Sequence, residues 1–201
     1  APDNERDLDY IIKGNLSKSL KKLIKEIDKI DNKKYRLFLL VLVFTGRRIQ
    51  EILELKYIDI DYSTNFILSR KENKKNKRKS SLVYLNKEIM IEIKQLKEEN
   101  ENDNFIFQSH ITKRPYNYTV MLRQNEKVIK NTNIDFYENE KLLIHDYRHF
   151  FGQIMRKKIK DKLLIKMVLD HTDRDITTRY SQYNHKDSKK VLNQYHKLIR
   201  E

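Results

Sequence analysis

Residues 37–44 form an unbroken apolar run, Leu37-Phe38-Leu39-Leu40-Val41-Leu42-Val43-Phe44, which stops at Thr45-Gly46. Glycine is a natural helix terminator, so the stretch reads as a helix over residues 35–44. A helix with no polar stripe has no face to offer water and must be buried on most sides. The neighbouring pattern is different: Leu16, Leu20, Leu23, Ile24, Ile27 and Ile30 recur every three or four residues among lysines and acids. That spacing predicts an amphipathic helix over residues 16–30. Just past the glycine, Ile49, Ile52, Leu53 and Leu55 begin a second short helix, so Arg47 and Arg48 stand at the turn that feeds its N-terminus. Such a turn suits an anion.

From residue 57 to residue 85 the period changes. Ile58 and Ile60 alternate with acids, and two short apolar runs follow, Phe66-Ile67-Leu68 and Leu82-Val83-Tyr84-Leu85. Three short strands are expected. The link between the second and third, residues 69–81, carries Lys71, Lys74, Lys75, Lys77, Arg78 and Lys79 and reads as an exposed, strongly positive hairpin tip. Helical spacing returns over residues 89–96, 116–129, 145–157 and 162–169, in a short segment at 176–180, and in a tail over 191–199; residues 131–140 read as a loop. No internal repeat is present. The expectation is a single α+β domain, mainly helical, with one small three-stranded antiparallel sheet.

Charge narrows the partners. With 43 Lys and Arg against 29 Asp and Glu, the net charge is +14, which fits a polyanion whose counterions are released on binding. Heavy lysine, asparagine and isoleucine usage also follows from an AT-rich genome, so charge alone is weak evidence. A membrane is disfavoured, because the chain has no long apolar run and no basic helix with a clean apolar face. The absence of cysteine excludes disulfides and thiolate metal sites, and no signal peptide is recognisable; a cytoplasmic location is expected. The opening Ala1-Pro2-Asp3-Asn4 has no initiator methionine, which suggests a piece of a longer protein.

Phosphodiester chemistry without a metal needs a nucleophile, cations for the non-bridging oxygens and a proton donor for the leaving oxygen. Three segments offer them: Arg48 at the helix entry, the pair His145 and Arg148 three residues apart, and a third stretch from His171 to Tyr180. Together they resemble the tyrosine recombinases, the family of phage integrases and bacterial Xer-type recombinases. The first motif is Thr45-Gly46-x-Arg48-x-x-Glu51, followed by Leu53-x-Leu55 and Asp59-Ile60-Asp61. The second is His145-x-x-Arg148-His149, and the third is His171 followed by Thr177-Thr178-Arg179-Tyr180. The resemblance spans residues 16–183, and three motifs in register are far more specific than any one.

The resemblance implies that Arg48 and Arg148 bind the scissile phosphate, with Glu51 in support. It implies His145 as acid/base partner, His171 as a hydrogen-bond donor to a non-bridging oxygen, and Tyr180 as nucleophile forming a 3′-phosphotyrosyl link. A hairpin lysine protonates the departing 5′-oxygen; Lys75 fits best, with Lys74 and Lys77 left open. It implies no metal and no nucleotide cofactor. The partners it implies are double-stranded DNA, further copies of the chain in a tetramer on DNA, and accessory DNA-binding proteins. Residues 1–201 would then be the C-terminal catalytic domain without the upstream DNA-clamping domain, and residues 186–201 a docking segment placed in cis or on a neighbouring protomer. Two positions depart from the pattern: Asp170 replaces the usual glycine before His171, and Gln50 replaces a small residue, a change expected to act on packing.

Plainer readings compete at each position. Arg48 could merely pair with Glu51 or Glu54. His145 and His149 could be half a zinc site, although the acid of the zinc-protease pattern is missing. The lysines could be a solvated loop, and Tyr183 stands close to Tyr180. Joint occurrence of nucleophile, base and charge stabilisers decides for catalysis. Two alternatives remain, a non-catalytic DNA-binding relative and a topoisomerase of the related IB type.

Overall fold

The apolar run forms α2 (Lys33–Thr45) in a computed structural model that describes residues 6–71, 79–169 and 185–200. Asn32 caps its start by accepting from the Tyr35 amide at 3.0 Å, and Gly46 ends it with φ 60°, in the left-handed region. Leu37 to Val43 are each at most 2% exposed. Burying each such side chain contributes about 1.5–3 kcal/mol, against about 1–2 kcal/mol for ordering one backbone residue, so this helix gains on every side. The cover comes from α1 (Leu16–Asp28), α4 (Lys87–Glu99), α5 (Tyr118–Asn131), α6 (Asp146–Lys158) and α8 (His185–Arg200), all in contact with α2. Two shorter helices, α3 (Ile49–Leu53) and α7 (Lys162–Val168), complete the helical part.

The amphipathic helix is present as α1, with Asn15 accepting from the Lys18 amide and Leu16, Leu20, Leu23, Ile24 and Ile27 buried. It stops two residues short of the expected end, where Ile30 is only half-buried. In α8, Val191, Leu192, Tyr195 and Ile199 are buried against the same chain, and the Tyr195 ring meets Phe151 edge-on at 4.7 Å. Arg200 closes this packing with an ion pair to Asp28.

The sheet has the order β1-β2-β3, antiparallel throughout: β1 (Ile60–Asp61), β2 (Phe66–Lys71) and β3 (Lys79–Tyr84). Phe66 faces Tyr84 and Ile67 faces Val83 in the register. Two strand expectations need correction. Tyr57–Asp59 is a 3-10 turn, not a strand, because the Tyr57 amide donates to the Asn104 carbonyl and the Asp59 amide to that of Lys56; Ile58 is left 87% exposed. The β2–β3 ladder also continues through Arg70↔Ser80 to Lys71↔Lys79, so the hairpin does not open at residue 69. Backbone pairing needs no apolar side chains, so a basic run extends a ladder that hydrophobic neighbours have started.

One packed segment has no counterpart in the sequence reading. Residues 6–12 run along α6, with a 3-10 turn at Leu8–Tyr10 and with Leu8, Ile11 and Ile12 buried. The architecture is the mainly helical α+β domain with a small antiparallel sheet that the periodicities predict.

Candidate active site

The first motif owes its geometry to Gly46. A Cβ at this position would lie 2.9 Å from Leu169 Cδ2 and 2.9 Å from Phe151 Cβ, so both α6 and the end of α7 press directly on the turn. Past the glycine, the two arginines separate. Arg47 is 7% exposed and is stitched to β3, donating to the Leu82 carbonyl at 2.9 Å and to Ser81 Oγ at 3.3 Å. Arg48 sits at the N-cap of α3 on extended backbone, and its side chain is 38% exposed. Buried Glu51 lies between them, 3.7 Å from Arg47 and 3.6 Å from Arg48. The pairing of Arg48 with Glu51 weighed from the sequence is therefore present, yet Arg48 is the arginine that reaches solvent. Gln50 corrects a further expectation: it is exposed and donates to Glu54 Oε1 at 2.6 Å, so it does not alter the packing.

The second motif opens α6. His145 occupies the N-cap position and is exposed, with Nε2 3.5 Å from Tyr118 Oη. One turn on, Arg148 is 7% exposed and its Nη1 donates to the Gly46 carbonyl at 3.0 Å. A hydrogen bond from a guanidinium is worth roughly twice a neutral one, and this bond fastens the second motif to the turn that presents Arg48. Asp146, between them, is 1% exposed; it accepts from the Leu143 amide at 2.7 Å and from Arg6 Nη1 at 2.6 Å. Burial pushes its carboxyl above the usual range, against the pull of those two donors and of His149.

Arg48, His145 and Arg148 thus belong to one neighbourhood, at the end of α2 and the start of α6. Lys75, its alternatives Lys74 and Lys77, and His171, Tyr180, Asp170 and Tyr183 lie outside the described residues. The chain does run towards the third motif from this site, since Leu169, which immediately precedes Asp170, packs on Gly46. Sequence reasoning missed Tyr118, Arg6 and Asp146. Only Asp146, between two motif residues, carried any local signal.

The sequence pattern of the phage integrase family matches residues 16–189. The chain belongs to that family. Among relatives of this phage integrase domain, Tyrosine recombinase XerH of Campylobacter jejuni subsp. jejuni serotype O:2 is 26% identical over 174 residues, covering 82% of this chain and 47% of the relative. A probable integrase/recombinase of Acholeplasma phage L2 is 26% identical over 165 residues, covering 81% of this chain and 53% of the relative. The chain thus spans about half the length of the curated relatives it matches. Its fold is similar to that of XerH bound to difH substrate in a pre-cleavage complex, with a TM-score of 0.64 at 22% identity over 87% of this chain and 51% of that one. The lambda integrase catalytic core gives a TM-score of 0.58 at 19% identity, over 78% of this chain and 93% of that one. Among the described residues no helix is long and apolar enough to cross a membrane.

Proposed function

We propose that this chain is the catalytic domain of a site-specific DNA recombinase that cleaves and rejoins duplex DNA through a 3′-phosphotyrosyl intermediate, for integration, excision or resolution. The observation that carries the reading is the 3.0 Å bond from Arg148 to the Gly46 carbonyl, which joins the two arginine motifs into one site within a chain of this family. Arg48 and Arg148 hold the scissile phosphate and stabilise the charge that grows on its non-bridging oxygens. The Tyr180 hydroxyl attacks phosphorus, with His145 as the acid/base partner that takes its proton. The bond from phosphorus to the 5′-oxygen breaks, and a hairpin lysine, Lys75 or its neighbour Lys74, supplies the proton to that oxygen. His171 donates to a non-bridging oxygen. The phosphotyrosyl ester conserves the energy of the broken linkage, so a 5′-hydroxyl from a second strand can reverse the step, and the reading calls for neither metal nor nucleotide. The net charge of +14 and the DNA-bound XerH structure that shares the fold support duplex DNA as the partner, and a tetramer of the chain on that DNA is the working assembly of this proposal.

A nicked suicide duplex tests this reading. SDS-resistant protein–DNA adducts are expected to form in EDTA. Arg48→Ala is expected to slow their formation by about 10²–10³-fold, the usual loss for one charge-stabilising donor, while leaving the melting temperature nearly unchanged. Arg47→Ala, which removes bonds to β3, is expected to lower the melting temperature by roughly 3–12 °C, in line with about 1.5–3 kcal/mol for charged hydrogen bonds. Equal effects of the two substitutions on both readouts would contradict the division of labour. The second reading, a DNA-binding relative without catalysis, is favoured by Asp170 beside His171; DNA retardation with no adduct is its result.

A further inference from the structure

We propose that Arg6 and Asp146 form a positioning pair for His145, so that a residue in the segment ahead of α1 sets the geometry of the acid/base group. The proposal rests on the role assigned to His145 above. Asp146 is the first residue of α6, next in sequence to His145. Its Oδ2 accepts from the Leu143 amide at 2.7 Å, which closes the turn that contains His145, and from Arg6 Nη1 at 2.6 Å. Its Oδ1 is buried without a hydrogen-bond partner among the described residues. Arg6 is therefore the one charged side chain hydrogen-bonded to this buried carboxylate among the described residues.

Arg6 is itself held in place. Its Nη2 donates to the Lys141 carbonyl at 3.0 Å and approaches Glu140 Oε2 at 3.3 Å. Its backbone carbonyl accepts from Gln153 Nε2 at 3.1 Å, and Gln153 Oε1 accepts from the Leu8 amide at 3.1 Å. The side chain of Arg6 thus grips the start of α6 while its backbone is fixed two turns further along the same helix. Among the described residues the His145 ring is held by one neighbour: it is exposed, its Nε2 lies 3.5 Å from Tyr118 Oη, and its ring centroid lies 6.3 Å from that of the same tyrosine. Its place therefore follows the backbone of the 143–146 turn. A segment that needed only to be tethered would be served by Leu8, Ile11 and Ile12, which are buried, and a buried ion pair adds little net stability over apolar contacts. The geometry of the turn is what the pair fixes.

Three variants of the full chain test the proposal: Arg6→Ala, Arg6→Lys, and Asp9→Asn, which breaks an ion pair of the same segment that does not involve Arg6, to Lys157 at 3.1 Å, without touching Asp146. Two readouts are taken, the imidazole NMR cross-peak of His145 in the free protein and the rate of adduct formation at saturating duplex. In Arg6→Ala the His145 cross-peak should move while that of His110 stays. Adduct formation should slow by about tenfold to a hundredfold, the scale of a misplaced catalytic group, with half-saturating DNA changed less than about twofold. Arg6→Lys should recover most of the rate, and Asp9→Asn should match the parent in both readouts. An unmoved His145 cross-peak in Arg6→Ala overturns the proposal, as does a rate loss shared equally by Asp9→Asn. If the parent protein forms no adduct, the recombinase reading fails, and the His145 cross-peak still decides the positioning.

Discussion

Arg148→Ala is expected to reduce covalent adduct formation by about 10³-fold and to destabilise the fold by about 2–3 kcal/mol. Both effects come from one guanidinium. It is 7% exposed and donates to the Gly46 carbonyl, so its loss strips a charged hydrogen bond from a buried acceptor and loosens the turn that presents Arg48. At about 2–4 °C per kcal/mol for a chain of this size, the melting temperature should fall by roughly 4–12 °C. Arg148→Lys separates the two roles. A lysine ammonium can donate to the Gly46 carbonyl but lacks the planar fork that engages a phosphate while holding that bond. Stability should recover more than cleavage does. Thermal melting read beside the suicide-duplex assay checks this, and cleavage by Arg148→Ala within tenfold of the parent would count against a catalytic role.

Gly46→Ala is expected to destabilise the protein by about 2–5 kcal/mol, from two sources that add. A side chain at φ 60° pays about 1–2 kcal/mol for the left-handed backbone. The new methyl would also meet Leu169 Cδ2 and Phe151 Cβ at 2.9 Å and Phe151 Cγ at 3.0 Å. A leucine tip can swing aside, but a Cβ moves only with its backbone, so α6 must shift, and overpacking of this kind costs about 1–3 kcal/mol. Because α6 carries Arg148 and follows His145, cleavage should fall as well. Gly14→Ala separates the two sources: at φ 104°, outside the left-handed well, it pays backbone strain of its own, but nothing lies within 4 Å of its Cβ position, so it meets no clash. Urea unfolding of the two variants checks the difference. A Gly46→Ala loss no larger than the about 1–2 kcal/mol of left-handed backbone strain would show that the close approach of α6 has no consequence.

The parts of this fold that could be read from the chain are those written in local periodicity. The run from Leu37 to Phe44 announces its own burial, and Gly46 announces where it ends. The spacing from Leu16 to Ile27 gives the face of α1. What escaped is set by partners far away in sequence. Arg47 and Arg48 are chemically identical neighbours; β3, more than thirty residues on, captures Arg47 through Leu82 and leaves Arg48 to solvent. The alternation around Ile58 looks like a strand, but the Asn104 carbonyl takes the Tyr57 amide and the Asp59 amide turns back to the Lys56 carbonyl, which closes a 3-10 turn instead. Nothing in the local pattern marks Lys34 for burial, yet it is buried against Asp103 and the Gln108 carbonyl. Residues 6–12 have too short a pattern to show any period, and their anchors on α6 lie some 140 residues downstream. Of the site, the motifs located Arg48, His145 and Arg148, while Tyr118 beside His145 and Arg6 on Asp146 emerged only when the helices were packed.

Tyr180 is expected to become covalently linked to DNA, and the identity of the linked residue decides it. The adduct formed on a nicked suicide duplex is digested with nuclease and protease, and the peptide carrying the residual nucleotide is sequenced by mass spectrometry, with Tyr180→Phe and Tyr183→Phe run in parallel. A 3′-phosphonucleotide is expected on Tyr180 alone, lost in Tyr180→Phe and kept in Tyr183→Phe. Linkage to Tyr183 or to any other residue would contradict it, as would DNA retarded at saturating protein with no covalent product.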